Sequence, residues 1–146
     1  MSIVTKTGDG GMTVYFGKKI KKTDSVLEAV GGLDELQAVI GLINYELRIN
    51  NLEKVVEDLY LIMGRKPIAE ERKGLDEKIK ELESSLKIEN KFIVFKKKKS
   101  LSLNWARTVA RRVERKCWIL EDKEIGVYLN RLSDYIYLLA LKEERE

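Results

Sequence analysis

Three stretches of this 146-residue sequence carry residue types at spacings suited to chemistry. The first is Thr5-Lys6-Thr7-Gly8-Asp9-Gly10-Gly11. Its glycines let backbone N–H groups converge on an anion, and Lys6 with the threonine hydroxyls can add charge-assisted hydrogen bonds to a phosphate. It lacks the closing Gly-Lys-Ser/Thr of a P-loop, and a plain N-terminal turn is the alternative reading. The second stretch holds Arg107, Arg111 and Arg115 at i, i+4 and i+8, with Arg112 and Glu114 between them. On a helix that spacing stacks the guanidinium groups along one face. Such a row calls for phosphates or partner carboxylates, unless it is a solvated face paired with Glu114. The third stretch, Tyr128 to Tyr135, places Asn130 and Asp134 one helical turn apart, opposite a leucine stripe.

The rest of the composition narrows what these residues can do. There is no histidine, which excludes Ser-His-Asp and Cys-His nucleophiles as well as His-ligated zinc or haem. Acid–base work is left to carboxylates, lysines or tyrosines. A single cysteine, Cys117, cannot form an internal disulfide. Net charge is +4, and the tract Lys96 to Lys99 accounts for all of it. Lys18, Lys19, Lys21 and Lys22 form a second cluster. Basicity this local suits a discrete anion better than a polynucleotide, which needs a broad basic face. No apolar run approaches the roughly 20 residues of a bilayer span, and no signal-like segment opens the chain. The expectation is a soluble, cytoplasmic protein that binds neither membrane nor nucleic acid.

Residues 1–146 read as one domain, with a glycine-containing segment over 1–24 and helices over 25–146. Thr13 to Phe16 reads as a short strand. Thr23, Asp24 and Ser25 are candidate N-caps, Ser25 with Glu28 having capping-box spacing, for a helix reaching about Arg48. Asn50-Asn51 breaks that helix, and a second apolar stripe runs from Leu52 to Met63. Gly64 to Pro67 interrupts it, and a third, more exposed helix spans Glu70 to Leu86. Phe92 to Phe95 reads as a strand or extended loop. Ser100 or Ser102 is expected to cap a fourth helix carrying Leu103 to Leu120, and a turn near Gly126 to lead into a fifth, Val127 to about Lys142. Helices joined by short turns pack antiparallel, so the expected fold is all-α, an up-and-down bundle of five helices.

Taken together and in order, Thr5 to Gly11, Glu28-Ala-Val-Gly-Gly-Leu-Asp-Glu-Leu36 with Ile40-Gly41, Ala106 to Arg115 and Tyr128 to Tyr135 resemble the motifs of the PduO-type ATP:corrinoid adenosyltransferases. The resemblance implies a ferritin-like five-helix bundle that assembles as a homotrimer with each active site between two subunits. It implies transfer of the 5′-deoxyadenosyl group of ATP to cob(I)alamin or a related corrinoid, with release of triphosphate. By the same resemblance Thr5, Lys6, Thr7, Gly8, Asp9, Gly10 and Gly11, together with Lys22, wrap the ATP phosphates and their Mg²⁺. Arg111 and Asn130 bind the nucleotide, Asp34 and Arg107 pair across the subunit interface, and Glu114, Arg131 and Asp134 support the site. Phe92 matches a phenylalanine that helps displace the lower axial ligand of cobalt. A reductase, or an enzyme that accepts adenosylcobalamin, is an implied partner. The sequence departs from the pattern in two places: Val94-Phe95-Lys96-Lys97 replaces a Leu-Pro-Gly-Gly turn, and Asn104 stands where the family has a histidine.

Two other readings fit the same residues. One is a helical Mg-ATP or polyphosphate binder with another acceptor or none. The other is a basic helical module that binds nucleic acid or protein through Lys96 to Lys99 and the arginine face.

Overall fold

The computed structural model describes residues 2–49, 52–89 and 91–146; the expected break at Asn50-Asn51 lies outside them. Strands β1 (Met12–Tyr15) and β2 (Lys18–Lys21) form an antiparallel hairpin that pairs Met12 with Lys21 and Tyr15 with Lys18. Its two-residue turn, Phe16-Gly17, has positive φ at both positions, the twist that suits a tight hairpin. Only the first strand was expected from the sequence, because the lysines of the second mask its alternation.

Five helices follow: α1 (Ser25–Leu47), α2 (Glu53–Met63), α3 (Ala69–Ser85), α4 (Lys98–Cys117) and α5 (Lys123–Arg145), with one 3₁₀ turn at Trp118–Leu120 after α4. Ion pairs between helices reveal their directions. Glu28 meets Lys116 and Glu35 meets Arg112, so α1 and α4 run antiparallel. The Glu144 carboxylate lies at the start of α4, so α4 and α5 are antiparallel too. Arg72 meets Glu124 and Asp76 meets Arg131, so α3 and α5 run parallel, side by side. The bundle is therefore up-and-down as expected, but α3 packs on α5, and the α3–α4 connection must cross the C-terminal end of α5.

The core lies where α1, α4 and α5 face one another, and it includes the fully buried Tyr128, Tyr135, Leu33, Leu36, Leu103 and Leu132. Burying one large apolar side chain stabilises by roughly 1.5–3 kcal/mol. In α3 only Leu75 and Ile79 are buried, as its charged sequence predicted. Three polar residues are buried, Asp58, Ser100 and Ser133; of these Asp58 accepts a hydrogen bond from the Tyr128 hydroxyl at 2.8 Å, and Lys54 Nζ reaches its other oxygen at 2.9 Å. No described helix is long and apolar enough to cross a membrane.

Several boundaries differ from the sequence reading, each for a physical reason. Asp24 caps α1, its carboxylate accepting from Val26 N at 2.9 Å; the Ser25–Glu28 box is not formed because Glu28 reaches Lys116 instead. Helix α4 begins at Lys98, so Ser100 lies buried inside its first turn and neither Ser100 nor Ser102 is its N-cap. Phe92 to Phe95 is extended chain outside any strand. Gly126 is no turn: α5 begins at Lys123, capped by Asp122. The lack of a side chain at Gly126 lets Trp118 lie against the helix, where an added Cβ would sit 2.6 Å from the indole ring.

Candidate functional site

The N-terminal segment folds as a chain of tight turns. Asp9 N donates to Lys6 O and Gly11 N to Gly8 O, each at 3.2 Å, and the Thr5 and Thr7 hydroxyls meet at 2.9 Å. Gly11 has φ +74°, a left-handed conformation that favours glycine. Lys22 closes the segment. Its N–H donates to Gly11 O at 2.8 Å, and its ammonium lies against Gly8, where an added Cβ would be 2.6 Å from Nζ. Lys6 and Lys22 are exposed and have no carboxylate within ion-pair distance among the described residues. Thr5 to Gly11 and Lys22 thus lie together: two cations without a carboxylate partner among the described residues, two hydroxyls and a turn rich in N–H groups. None of these residues hydrogen-bonds to Arg111, Asn130, Arg131 or Asp134 of the same chain.

Tertiary packing divides the cations of α4 into two classes. Arg112 donates to both oxygens of Glu35, at 2.7 and 2.6 Å, and Lys116 to Glu28 at 2.7 Å; both tie α4 to α1. Arg107 and Arg111 have no carboxylate within ion-pair distance among the described residues. Arg115 donates only to Arg111 O. Glu114, which could have neutralised the row, instead accepts from Trp118 Nε1 at 2.5 Å. The half-buried Arg107 donates from Nε to Asn104 Oδ1 at 2.9 Å, leaving its terminal nitrogens free. Asp34 is exposed on α1 and forms no ion pair with Arg107 within the chain.

Arg107 lines a pocket of about 550 Å³ with Asn104, Phe92, Ile93, Phe95 and Tyr137. The Phe92 ring is fully exposed, at 103% of its reference surface, a costly state for an apolar ring unless something covers it. Tyr137 and Ile88 also border a second groove of about 590 Å³, which contains Arg131, Asp134 and Asp76. Arg131 pairs with Asp76 at 3.2 Å and lies 3.9 Å from Asp134. Partial burial raises the Asp134 carboxyl above its ordinary value, while Arg131 and Arg111 oppose the rise. Asn130 and Asp134 are both exposed on α5, one turn apart.

Asp76 and Tyr137 were not singled out in the sequence. Neither carries a local signal, since each joins the site only because α3 and α5 lie side by side. No cluster of carboxylates or thiols able to hold a metal ion occurs among the described residues. A divalent ion near Thr5 to Gly11 would find Asp9 and the threonine hydroxyls, a donor set suited to an ion carried in on phosphates.

Comparison with known proteins gives a consistent answer. The profile of the cobalamin adenosyltransferase family matches residues 3–143. The chain is 33% identical to the corrinoid adenosyltransferase PduO of Citrobacter freundii, over 100% of this chain and 51% of that protein. It therefore spans about half the length of the PduO relatives it matches. It is also 33% identical to the corrinoid adenosyltransferase of Bacillus subtilis (strain 168), over 96% of this chain and 85% of that protein. Among solved structures, a variant PduO-type ATP:corrinoid adenosyltransferase from Lactobacillus reuteri complexed with cobalamin and ATP superposes with TM-score 0.88 at 25% identity, covering 99% of this chain and 91% of that one. The same bundle and the end-to-end sequence match place this chain in the cobalamin adenosyltransferase family.

Proposed function

We propose that the protein transfers the 5′-deoxyadenosyl group of ATP to the cobalt of cob(I)alamin or a related corrinoid. The observation that carries this reading is the pocket in which the exposed Phe92 and the half-buried, carboxylate-free Arg107 meet. In the reaction the Co(I) electron pair forms the bond to C5′, the C5′–O5′ bond breaks, and triphosphate leaves. The nucleophile belongs to the substrate, so the chain needs neither histidine nor a general base. Its residues align the two substrates, exclude water and stabilise the leaving polyphosphate.

In this assignment residues 1–24 are the ATP segment and residues 25–146 the bundle. Thr5 to Gly11 with Lys22 hold the phosphates, and Mg²⁺ arrives on them. Arg111 and Asn130 bind the nucleotide, and Glu114, Arg131 and Asp134 support it. Phe92 covers the lower face of the corrin, where it favours loss of the axial ligand. Arg107 pairs with Asp34 of a second copy, and the active form, as the family resemblance implies, is a homotrimer with sites between subunits, acting in the cytoplasm.

Two features support assembly. The free cations of the N-terminal segment form no hydrogen bond with Arg111 or Asn130 of their own chain, which suits a site completed by a neighbour. The antiparallel register of α1 and α4 sets the exposed Leu42 and Tyr45 level with the exposed Trp105 and Leu101, an apolar patch of the kind that marks subunit contacts. The test is incubation with Mg-ATP and chemically reduced cobalamin, followed by the spectrum of adenosylcobalamin. Conversion is expected. ATP binding without conversion of cobalamin or a truncated corrinoid would favour a nucleotide binder with another acceptor.

A further inference from the structure

The connection between α3 and α4, which carries Phe92, crosses the end of α5 and is held there on both sides. On the incoming side Arg145 donates to the Lys87 carbonyl. On the outgoing side the Glu144 carboxylate accepts from Lys96 N at 3.0 Å, from Lys97 N at 3.1 Å and from the Ser100 hydroxyl. The two amides belong to Lys97, the N-cap residue of α4, and to the residue before it; Lys97 supplies no side-chain bond of its own, and the Ser100 hydroxyl also meets the Lys97 carbonyl at 2.9 Å. A helix start left uncapped is a weak anchor. Here a carboxylate from the far end of another helix does the capping.

From Phe92 to Phe95 the chain is extended and alternates. Phe92 and Val94 face out, whereas Ile93 and Phe95 pack against the core, the Phe95 ring meeting Tyr137 edge-on at 6.1 Å. Extended chain has a period of two, so a slip of one residue at the anchor would turn Phe92 inward and Ile93 outward. Ile93 and Phe95 select the face, and the Glu144 cap sets the register at which they enter.

We propose that Glu144 is a positioning residue for the corrinoid pocket, holding the Phe92 segment in register by capping α4 from the last turn of α5. The inference rests on the adenosyl-transfer reading of that pocket. It is also consistent with the environment of the carboxylate: the Ser100 hydroxyl and the two N–H groups hold its pKa below the ordinary value.

The experiment compares wild type with Glu144→Ala and Glu144→Gln, reading KM for corrinoid, KM for ATP, kcat, and amide exchange at Lys96 and Lys97. Glu144→Ala is expected to raise the corrinoid KM about fivefold, the size of a lost helix cap read as affinity, and to speed exchange at both amides. ATP KM should stay unchanged, and Glu144→Gln, which keeps an acceptor oxygen, should recover part of the loss. An unchanged corrinoid KM, or corrinoid and ATP KM rising together, would overturn the proposal. The two readings fail differently: wild-type protein that makes no adenosylcobalamin overturns the adenosyl-transfer assignment, whereas unaltered exchange in Glu144→Ala overturns the role of Glu144.

Discussion

Asn104 Oδ1 accepts a hydrogen bond from Arg107 Nε at 2.9 Å, one turn along α4. An asparagine thus orients the arginine at the position where the family pattern led us to expect histidine. The bond uses the one guanidinium nitrogen that cannot join a forked pair with a carboxylate through both terminal nitrogens, so the fork stays available.

Replacing Asn104 by Ala should therefore misorient Arg107 without unfolding the helix. A hydrogen bond to a charged group contributes about 1.5–3 kcal/mol, and half-burial of this one puts the effect at the low end. We expect kcat/KM for adenosyl transfer to fall about tenfold with Tm lowered by only a few degrees. Wild-type kinetics would show that Arg107 is oriented by something else.

Arg107→Ala and Asp34→Ala should each weaken both assembly and turnover. A guanidinium left unpaired at a dry interface costs about 3–5 kcal/mol, enough to weaken the proposed subunit contact. Sedimentation should show dissociation at micromolar protein. The exchanged pair Asp34→Arg with Arg107→Asp should restore association in part, and trimers indistinguishable from wild type in both single variants would refute the pairing.

Tyr128→Phe tests the buried polar pair of the core. The change removes the donor to Asp58 Oδ2 and leaves that oxygen buried with Lys54 on the other side only. An unsatisfied buried acceptor costs about 1–3 kcal/mol. Urea unfolding should show the loss as a lower midpoint at unchanged slope; a neutral variant would mean that water reaches Asp58.

Asp134 should show the opposite relation between charge and stability. Partial desolvation of this largely exposed carboxyl raises its pKa in the folded state against the opposing pull of Arg131 and Arg111, so folding slightly disfavours the ionised form. The penalty is present above the folded pKa and vanishes as pH falls below the ordinary carboxyl value. Asp134→Asn should raise Tm at pH 7, and the difference from wild type should disappear by about pH 3, below the ordinary Asp value. Activity of the variant should fall, since Asp134 sits in the groove with Arg131. A variant less stable at pH 7 would show that Arg111 and Arg131 outweigh the burial.

Cys117 should be inert in the folded protein. The thiol is fully buried, and desolvation pushes its pKa up to about 12, so almost none is thiolate at pH 8. Thiol reagents should label it only in denaturant, at the rate of an ordinary cysteine. Rapid labelling of the native protein would reveal local opening of α4 against α1.

The contrast between Asp24 and Glu144 shows where sequence reasoning stops. Asp24, one of three adjacent cap candidates, could be chosen from local chemistry because a cap and the amides it serves are neighbours in the chain. The cap of α4 comes from a residue 47 positions from Lys97, and nothing near Lys97 announces it. Gly126 misled for the same reason: its neighbours suggested a turn, while its role is to make room for Trp118.

By itself the sequence determined the helices, their apolar faces and the ordered motifs from Thr5 to Tyr135, because helical periodicity and backbone flexibility are set by neighbours a few residues apart. It also determined which chemistry is absent, since a chain without histidine has no imidazole anywhere. Only the tertiary structure decided which arginines are spent on structure and which stay free. Arg107, Arg111, Arg112 and Arg115 look alike in sequence, but Glu35 reaches one of them and leaves the others. That choice depends on which helices pack together and in which direction, a matter of contacts between residues far apart in the chain.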